Sequence, residues 1–167
     1  MIERDELLEL LEQRHVPFAC EYHEPVFNMA ESGALNLSLA GARCKNLLLQ
    51  DKLGALYLVV TTAQKSLDLS AVARTLNSKR LSFVSADRLF GLLGVRPGSL
   101  SPLALINDHA RNVRLVIDED LAHERIFLFH PLDSTATIAL SRRDFEVFLH
   151  GIGHAPSWQA LGARPAA

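Results

Sequence analysis

The stretch "RCKNLLLQDKLGALYLVV", residues 43–60, predicts two β-strands joined by a turn. Two unbroken apolar runs flank the turn-forming "DKLG", and such runs are typical of strands that are covered on both faces. Lys45 stands at the head of the first strand. Because side chains alternate between the two faces of a strand, its ammonium group is predicted to lie on the same face as Leu47 and Leu49. The hairpin therefore predicts a sheet with a cation placed along an apolar surface.

The rest of the chain mixes helix and strand patterns without the strict alternation of a doubly wound fold. Helices are expected at 5–14, 66–76, 86–93 and 142–152, with a further helix opening at a capping box over 28–31. Strands are expected at 17–24, 81–85, 112–118, 125–130 and 136–140. The apolar "LALI" of 103–106 is also expected to end a strand. These elements predict an α+β fold with a largely antiparallel sheet. The terminal "APSWQALGARPAA" is small and polar enough to fray.

Composition restricts the class of protein. The 167 residues suit one domain, and the net charge of −2 argues against a general polyanion-binding protein. Residues 64–96 nevertheless carry six basic and two acidic side chains, a local excess that by charge alone indicates a solvated face. The two cysteines have no CxxC partner, so neither a disulfide framework nor a zinc site is expected. Without a signal pattern or a membrane-spanning apolar run, we expect a soluble cytoplasmic protein.

Lys45 has two interpretations from the residues alone. Its stem can lie on apolar atoms while its amine reaches water, as strand-end lysines commonly do. Alternatively, the amine is fixed at the mouth of a pocket, where it would bind a phosphate or a developing oxyanion. Without further context the first interpretation is favoured. Asn46, the next residue, is predicted to point to the opposite face.

The loop "PGSLSP", residues 97–102, is a second candidate site. Gly98 allows a backbone conformation that other residues cannot adopt without strain, and the flanking prolines restrict the motion of the loop. Such a loop can direct successive N–H groups at an anion or a carbonyl oxygen, although most stretches of this composition are plain turns.

Three further side chains follow or begin strands. His130 could act as a general base or be a structural imidazole, and the residues leave both open. Asp108 is expected to be structural. Cys44 could be a nucleophile, but a small buried apolar role is favoured, since its side chain should face away from Lys45.

Three stretches together resemble a known family. They are "CKNLLLQDKLGALYLVV", "LGVRPGSLSPLALIND" and "FHPLDSTATIALSRRDFEVFLHGIGHAP". They are similar to the freestanding bacterial prolyl-tRNA editing proteins, the ProXp-ala (PrdX) group of the YbaK-like superfamily, which includes the insertion domain of bacterial prolyl-tRNA synthetases. The resemblance implies one editing domain over residues 1–155 with a tail at 156–167. It also implies a mixed, largely antiparallel and partly barrel-like sheet flanked by helices.

The family resemblance implies a deacylase that acts in trans on mischarged Ala-tRNA(Pro). A synthetase pocket cannot strongly reject a smaller amino acid, since a missing methylene is worth only about 1–3 kcal/mol, and a second, smaller site corrects the error. The alternatives are another mischarged substrate, such as Cys-tRNA(Pro), or a non-catalytic module that binds tRNA or a synthetase. A hydrolase that depends on Cys44 is a weaker alternative.

The resemblance also implies roles for particular residues. Lys45 would hold the phosphate of the terminal nucleotide, and the substrate's own 2′-hydroxyl would help to activate water. Backbone N–H groups of the loop would hold the 3′ end and the ester carbonyl. The resemblance assigns the other residues of the expected site to three groups. They are Gly98, Ser99 and Leu100 in the catalytic loop, Asn46, Val60, Pro102 and His130 as substrate-binding residues, and Lys79 and Arg80 as tRNA-binding residues.

The expected partners are the acceptor end of tRNA(Pro) and prolyl-tRNA synthetase. The family resemblance implies no metal and no cofactor, because an ester is already activated relative to an amide. We expect a monomer that does not associate with membranes.

Overall fold

A computed structural model describes residues 1–27 and 29–165, without the side chains of Met29, Ser32 and Gly33. Asn28, which begins the predicted capping box, lies outside the described residues. The helices are α1 Arg4–Gln13, α2 Met29–Ala34, α3 Leu69–Leu76, α4 Ala86–Leu93 and α5 Arg142–Gly151. The strands are β1 Ala19–Tyr22, β2 Ala42–Asp51, β3 Leu56–Thr62, β4 Leu81–Phe83, β5 Val113–Asp118, β6 Ile126–Phe129, β7 Ala136–Ser141 and β8 Ser157–Gln159. No helix in these ranges is long and apolar enough to cross a membrane.

The predicted hairpin forms the middle of the sheet. β2 and β3 pair antiparallel with Leu47 opposite Val59, and the full strand order is β1-β7-β6-β2-β3-β5-β8, with β4 also paired to β2. The β2–β6, β3–β5 and β5–β8 pairs are parallel, and the other described pairs are antiparallel. The α+β fold with a mixed, largely antiparallel sheet is therefore confirmed. The partly barrel-like expectation is corrected: over the described strands the sheet is open, with β1 and β8 at its ends.

The two faces of the sheet are covered by separate apolar clusters. Leu48 and Val60 belong to a large cluster that includes side chains of α1, α4 and α5. Leu47 and Leu49 belong to a smaller cluster that includes side chains of α3 and the terminal Leu161. Because side chains alternate along β2, neighbouring leucines pack in different clusters. Both faces of the strand are therefore apolar, and its sequence is an unbroken apolar run.

Three helices begin after a residue whose side chain caps the first turn. The Asp68 carboxylate accepts hydrogen bonds from the N–H groups of Ser70 and Ala71 at the start of α3. The hydroxyls of Ser85 and Ser141 cap α4 and α5 in the same way. Gly94 ends α4 with a φ of 71°, a left-handed conformation that glycine adopts without strain.

Two local predictions are wrong. The apolar "LALI" belongs to a 3-10 segment, Pro102–Asn107, because Ser101 caps it and Pro102 is preset for its first turn. The terminal segment does not fray over 157–163: β8 pairs with the open edge of β5, Leu161 is buried, and Ala163 bridges Leu67. Its apolar side chains gain a place to pack that composition could not reveal.

Candidate functional site

Lys45 lies on the face of β2 that the alternation predicts, with Leu47 and Leu49. Its Nζ donates a hydrogen bond to the carbonyl oxygen of Lys65 at 2.8 Å. The side chain therefore does not simply extend into water. It is held across the end of the hairpin by the segment that follows β3.

That segment is itself fixed by a buried ion pair. Lys65 Nζ lies 2.8 Å from Asp118 Oδ2 and 2.7 Å from Asp120 Oδ2, and it donates to the carbonyl of Leu161 at 2.9 Å. The hydroxyl of Thr61 donates to Asp118 at 2.7 Å. Burial raises the pKa of Asp118, but the hydrogen bonds from Lys65 and Thr61 outweigh burial and hold that pKa below its ordinary value.

A small cavity opens where β2 and β6 separate. The two strands pair only at Ala42 with Phe127 and Arg43 with Leu128, and beyond these pairs a cavity of about 50 Å³ lies between them. Its polar groups include Lys45, Asn46 and His130, and its apolar wall includes Leu35, Leu37, Ala63, Leu128 and Phe129. The fold thus brings three of the predicted site residues into one cavity.

Asn46 carries an acceptor that the described residues do not satisfy. Its Oδ1 is buried and has no hydrogen-bond partner among them. A buried acceptor left in this state costs about 1–3 kcal/mol, so Oδ1 is available to a donor from a water molecule or a ligand. Val60 lies opposite Asn46 in the hairpin but is buried in the large cluster and does not line the cavity.

His130 is buried at the cavity with a defined tautomer. Its Nδ1 lies 2.8 Å from the carbonyl oxygen of Ala136, and because a carbonyl can only accept, Nδ1 carries the proton. Burial lowers the pKa of His130, so the ring is neutral near pH 7 and its Nε2 is an acceptor. Thr137 Oγ1 lies 2.8 Å from His23 Nε2, and the His23 ring lies edge-on to His130. Sequence reasoning missed His23 and Thr137, since nothing local links them to His130.

The loop of residues 97–102 lies behind His130. The hydroxyl of Ser101 donates to the His130 carbonyl at 2.8 Å, while the N–H of Ser99 is already bonded to the Arg96 carbonyl at 2.9 Å. Gly98, Ser99, Leu100 and Pro102 are buried, and among the described residues they do not line the cavity that contains Lys45.

The reason for a glycine at position 98 differs from the expected one. Gly98 has no left-handed φ, so its backbone conformation is not closed to other residues. A Cβ there would instead lie 2.4 Å from the carbonyl oxygen of Val26 and 2.8 Å from the carbonyl carbon of Phe27. The position requires glycine because another backbone packs directly on it.

The remaining candidates are placed as follows. Burial raises the pKa of Cys44 to about 12, so its thiol is protonated at neutral pH and is a poor nucleophile. Asp108 accepts hydrogen bonds from the backbone of Asn112 and Val113 and contacts His154 Nε2 at 2.9 Å, which is a structural role. Lys79 and Arg80 are exposed in the turn between α3 and β4.

Comparison with known families identifies the class of domain. Residues 23–148 match the aminoacyl-tRNA editing domain family, and the chain belongs to that family. Among its relatives, the prolyl-tRNA editing protein ProX of Acetoanaerobium sticklandii is 31% identical, over 86% of this chain and 88% of that protein. Prolyl-tRNA synthetase associated domain-containing protein 1 of Xenopus laevis is 33% identical, over 92% of this chain and 94% of that protein.

The fold comparison agrees with the family. A crystal structure described as that of a candidate trans-editing enzyme for prolyl-tRNA synthetase superposes with a TM-score of 0.65 at 17% identity. The match covers 97% of this chain and 99% of that chain. At that identity the likeness establishes the shared fold.

Proposed function

We propose that this protein is a prolyl-tRNA editing deacylase that hydrolyses Ala-tRNA(Pro) in trans. The observation that carries the proposal is the small cavity in which Lys45, Asn46 and His130 meet, within a fold of the aminoacyl-tRNA editing family. The names of the reported relatives, one of which refers to prolyl-tRNA editing and the other to association with prolyl-tRNA synthetase, support the choice of tRNA.

The size of the cavity supports alanine as the amino acid. About 50 Å³ accommodates a group of a few atoms, such as a methyl, and strands β2 and β6 form part of its walls. A rigid wall excludes the larger ring of proline by overlap, which discriminates more strongly than the absence of a contact does. The correct product, Pro-tRNA(Pro), would therefore survive.

The proposed reaction uses the substrate's own groups. Water attacks the ester carbonyl carbon, the bond from that carbon to the ribose 3′-oxygen breaks, and the 3′-oxygen leaves with a proton as the hydroxyl. The 2′-hydroxyl of the same ribose orients the water. Lys45 binds the phosphate of the terminal nucleotide, and Asn46 Oδ1 accepts a hydrogen bond from the α-ammonium group of the aminoacyl ester.

His130 and the 97–102 loop complete the proposed site. His130 lines the cavity and has an acceptor nitrogen. The hydroxyl of Ser101 donates a hydrogen bond to the carbonyl oxygen of His130 and so connects it to the loop. The role of the N–H groups of Gly98, Ser99 and Leu100 in holding the 3′ end stays a prediction, as does contact with substrate by Val60 and Pro102. Prolyl-tRNA synthetase is a proposed partner that would deliver mischarged tRNA.

A deacylation panel tests the proposal. The protein is incubated with one tRNA(Pro) carrying alanine, cysteine, serine or proline, and loss of each ester is measured. We expect rapid loss of the alanyl ester only, near-complete loss of activity in Lys45→Ala, and wild-type activity in the control Arg143→Ala, an exposed cation on α5. Preferred hydrolysis of the cysteinyl ester, rapid hydrolysis of the prolyl ester, or binding without turnover would overturn it.

A further inference from the structure

A second cavity lies on the opposite face of β2 from the small one. It has a volume of about 330 Å³, and its lining includes Lys45, Leu47, Phe83 and Arg164. Lys45 lines both cavities and so stands at the boundary between them. This larger cavity is called the β4 groove below, because Phe83 of β4 forms part of it.

The β4 groove presents an aromatic ring to solvent. Phe83 is 60% exposed although it sits within a paired strand. It lies opposite Leu49, and cross-strand partners share a face, so its ring is on the same side of the sheet as Lys45. An exposed aromatic ring beside cationic groups is the usual platform on which single-stranded nucleotides stack.

The charges in the groove favour an anionic ligand. Lys65 is compensated by Asp118 and Asp120, whereas Lys45 is bound to a neutral carbonyl oxygen and Arg164 is exposed. Asp68 is the acidic member of the lining, and its carboxylate is bound to the N–H groups that open α3. Lys45 and Arg164 thus supply positive charge at the groove.

The dimensions fit a short run of nucleotides. Leu49, the partner of Phe83, stands four positions after Lys45 in β2, which corresponds to about 13 Å of strand. Continuing along β4 in the same direction leads to Arg80 and Lys79, directly before the strand. Lys45, the Phe83 ring and the basic pair Arg80 and Lys79 therefore follow one another along the direction of β2 and β4.

We propose that the β4 groove binds the unpaired nucleotides at the 3′ end of the tRNA, with Phe83 stacking on a base and Arg164 contacting a phosphate. The inference rests on the proposed function and extends it. The RNA lies on the Phe83 face, and the aminoacyl group passes the end of β2 at Lys45 into the small cavity on the other side. The 97–102 loop lies on the other side of the sheet, so the contact predicted for its N–H groups would be with the aminoacylated terminal ribose and not with the preceding nucleotides.

Binding and kinetics with matched variants test the β4 groove. The probes are a fluorescent RNA hairpin of the tRNA(Pro) acceptor stem, with and without its unpaired 3′ nucleotides, and Ala-tRNA(Pro). We expect Phe83→Ala to weaken binding of the complete hairpin by about tenfold and to raise KM similarly, with Phe83→Trp restoring both. Arg164→Ala should weaken binding in the same direction. Phe90→Ala, an exposed phenylalanine on α4 outside the groove, is the control.

The outcomes separate this inference from the proposed function. RNA binding in the β4 groove would be excluded if the wild type bound both hairpins with equal affinity, or if Phe83→Ala kept the wild-type KM and affinity. Neither result would exclude hydrolysis of the alanyl ester. Conversely, binding that depends on Phe83 and on the 3′ nucleotides would support the groove even if no ester in the panel were hydrolysed. A folded Phe83→Ala protein is verified by an unchanged thermal midpoint.

Discussion

The ammonium group of Lys45 is held by a carbonyl oxygen, which carries no formal charge. Lys65 differs, because two carboxylates lie within 2.8 Å of its Nζ. A lysine that is oriented but not neutralised keeps its charge for a phosphate, and a lysine that is neutralised serves to fix the chain. Lys45 is therefore suited to bind a phosphate, whereas Lys65 supports the position of Lys45 through its carbonyl oxygen.

Replacing Asn46 should separate stability from activity. Asn46→Leu removes a buried acceptor without a partner among the described residues, so we expect the free energy of unfolding to rise by about 1 kcal/mol. Deacylation should nevertheless slow, because the α-ammonium group of the substrate loses its acceptor. Urea unfolding and steady-state kinetics measure the two effects, with Gln50→Leu on the same strand as the control. A less stable variant with unchanged KM would contradict this role.

Replacing Cys44 should leave the reaction intact. With a pKa of about 12 the thiol stays protonated at neutral pH, so Cys44→Ser removes no nucleophile. We expect alanyl ester hydrolysis within about twofold of wild type between pH 6 and pH 8, where the thiolate is scarce. Loss of activity in a folded Cys44→Ser protein would instead favour a cysteine-dependent hydrolase.

At the scale of elements, the end of β5 supports the head of β2. Asp118 ends β5 and fixes Lys65, and the carbonyl of Lys65 fixes Lys45. Asp118→Asn leaves a buried ammonium with a weaker partner, so we expect a loss of about 3 kcal/mol in the free energy of unfolding and a lower kcat. Asp120→Asn is the matched control: its carboxylate contacts the same ammonium but is 61% exposed, so its loss should cost under about 1 kcal/mol. Equal effects of the two variants would contradict the positioning role.

The same pair sets a pH window. The lowered pKa of Asp118 gives stability that is present above its unfolded pKa of about 3.9 and is lost as pH falls through the folded pKa. Burial lowers the pKa of Lys65, but both carboxylates raise it overall, so its contribution is present below about pH 10.4 and is lost as pH rises through the folded pKa. The difference in the free energy of unfolding between the wild type and Asp118→Asn, measured by urea unfolding, should therefore be constant from about pH 5 to pH 9. The difference should become smaller at acidic pH.

Local patterns predicted the elements well and the contacts between them poorly. The face of Lys45 follows from strand alternation, and the Asp68, Ser85 and Ser141 caps follow from short-range hydrogen bonding. The bond between Lys65 and Asp118 joins residues 53 apart, and no periodicity records it. The same holds for Gly98 beneath Val26 and for β8 against β5, because both depend on which surfaces the finished fold leaves open.

At the scale of the whole molecule, charge is segregated. The chain has a net charge of −2, yet Lys45 and Arg164 line the β4 groove, and the exposed Lys79 and Arg80 directly precede β4. Residues 1–31 carry eight acids against two bases, so the opposite charge is concentrated in another part of the sequence. A molecule with this charge distribution is expected to bind RNA by a local patch and to bind nonspecific polyanions weakly.

This segregation makes the salt dependence of binding diagnostic. Each cation that contacts a phosphate releases counterions, so the logarithm of the association constant for the acceptor-stem hairpin should fall linearly with the logarithm of salt concentration. Lys79→Ala and Arg80→Ala should each reduce the magnitude of that slope by about 1, whereas Arg143→Ala on α5 should leave it unchanged. Fluorescence anisotropy between 50 and 200 mM salt measures the slopes, because the phosphate contribution to affinity changes strongly over that range. Slopes that do not change in either variant would exclude Lys79 and Arg80 from the RNA contact and confine it to the residues around Lys45.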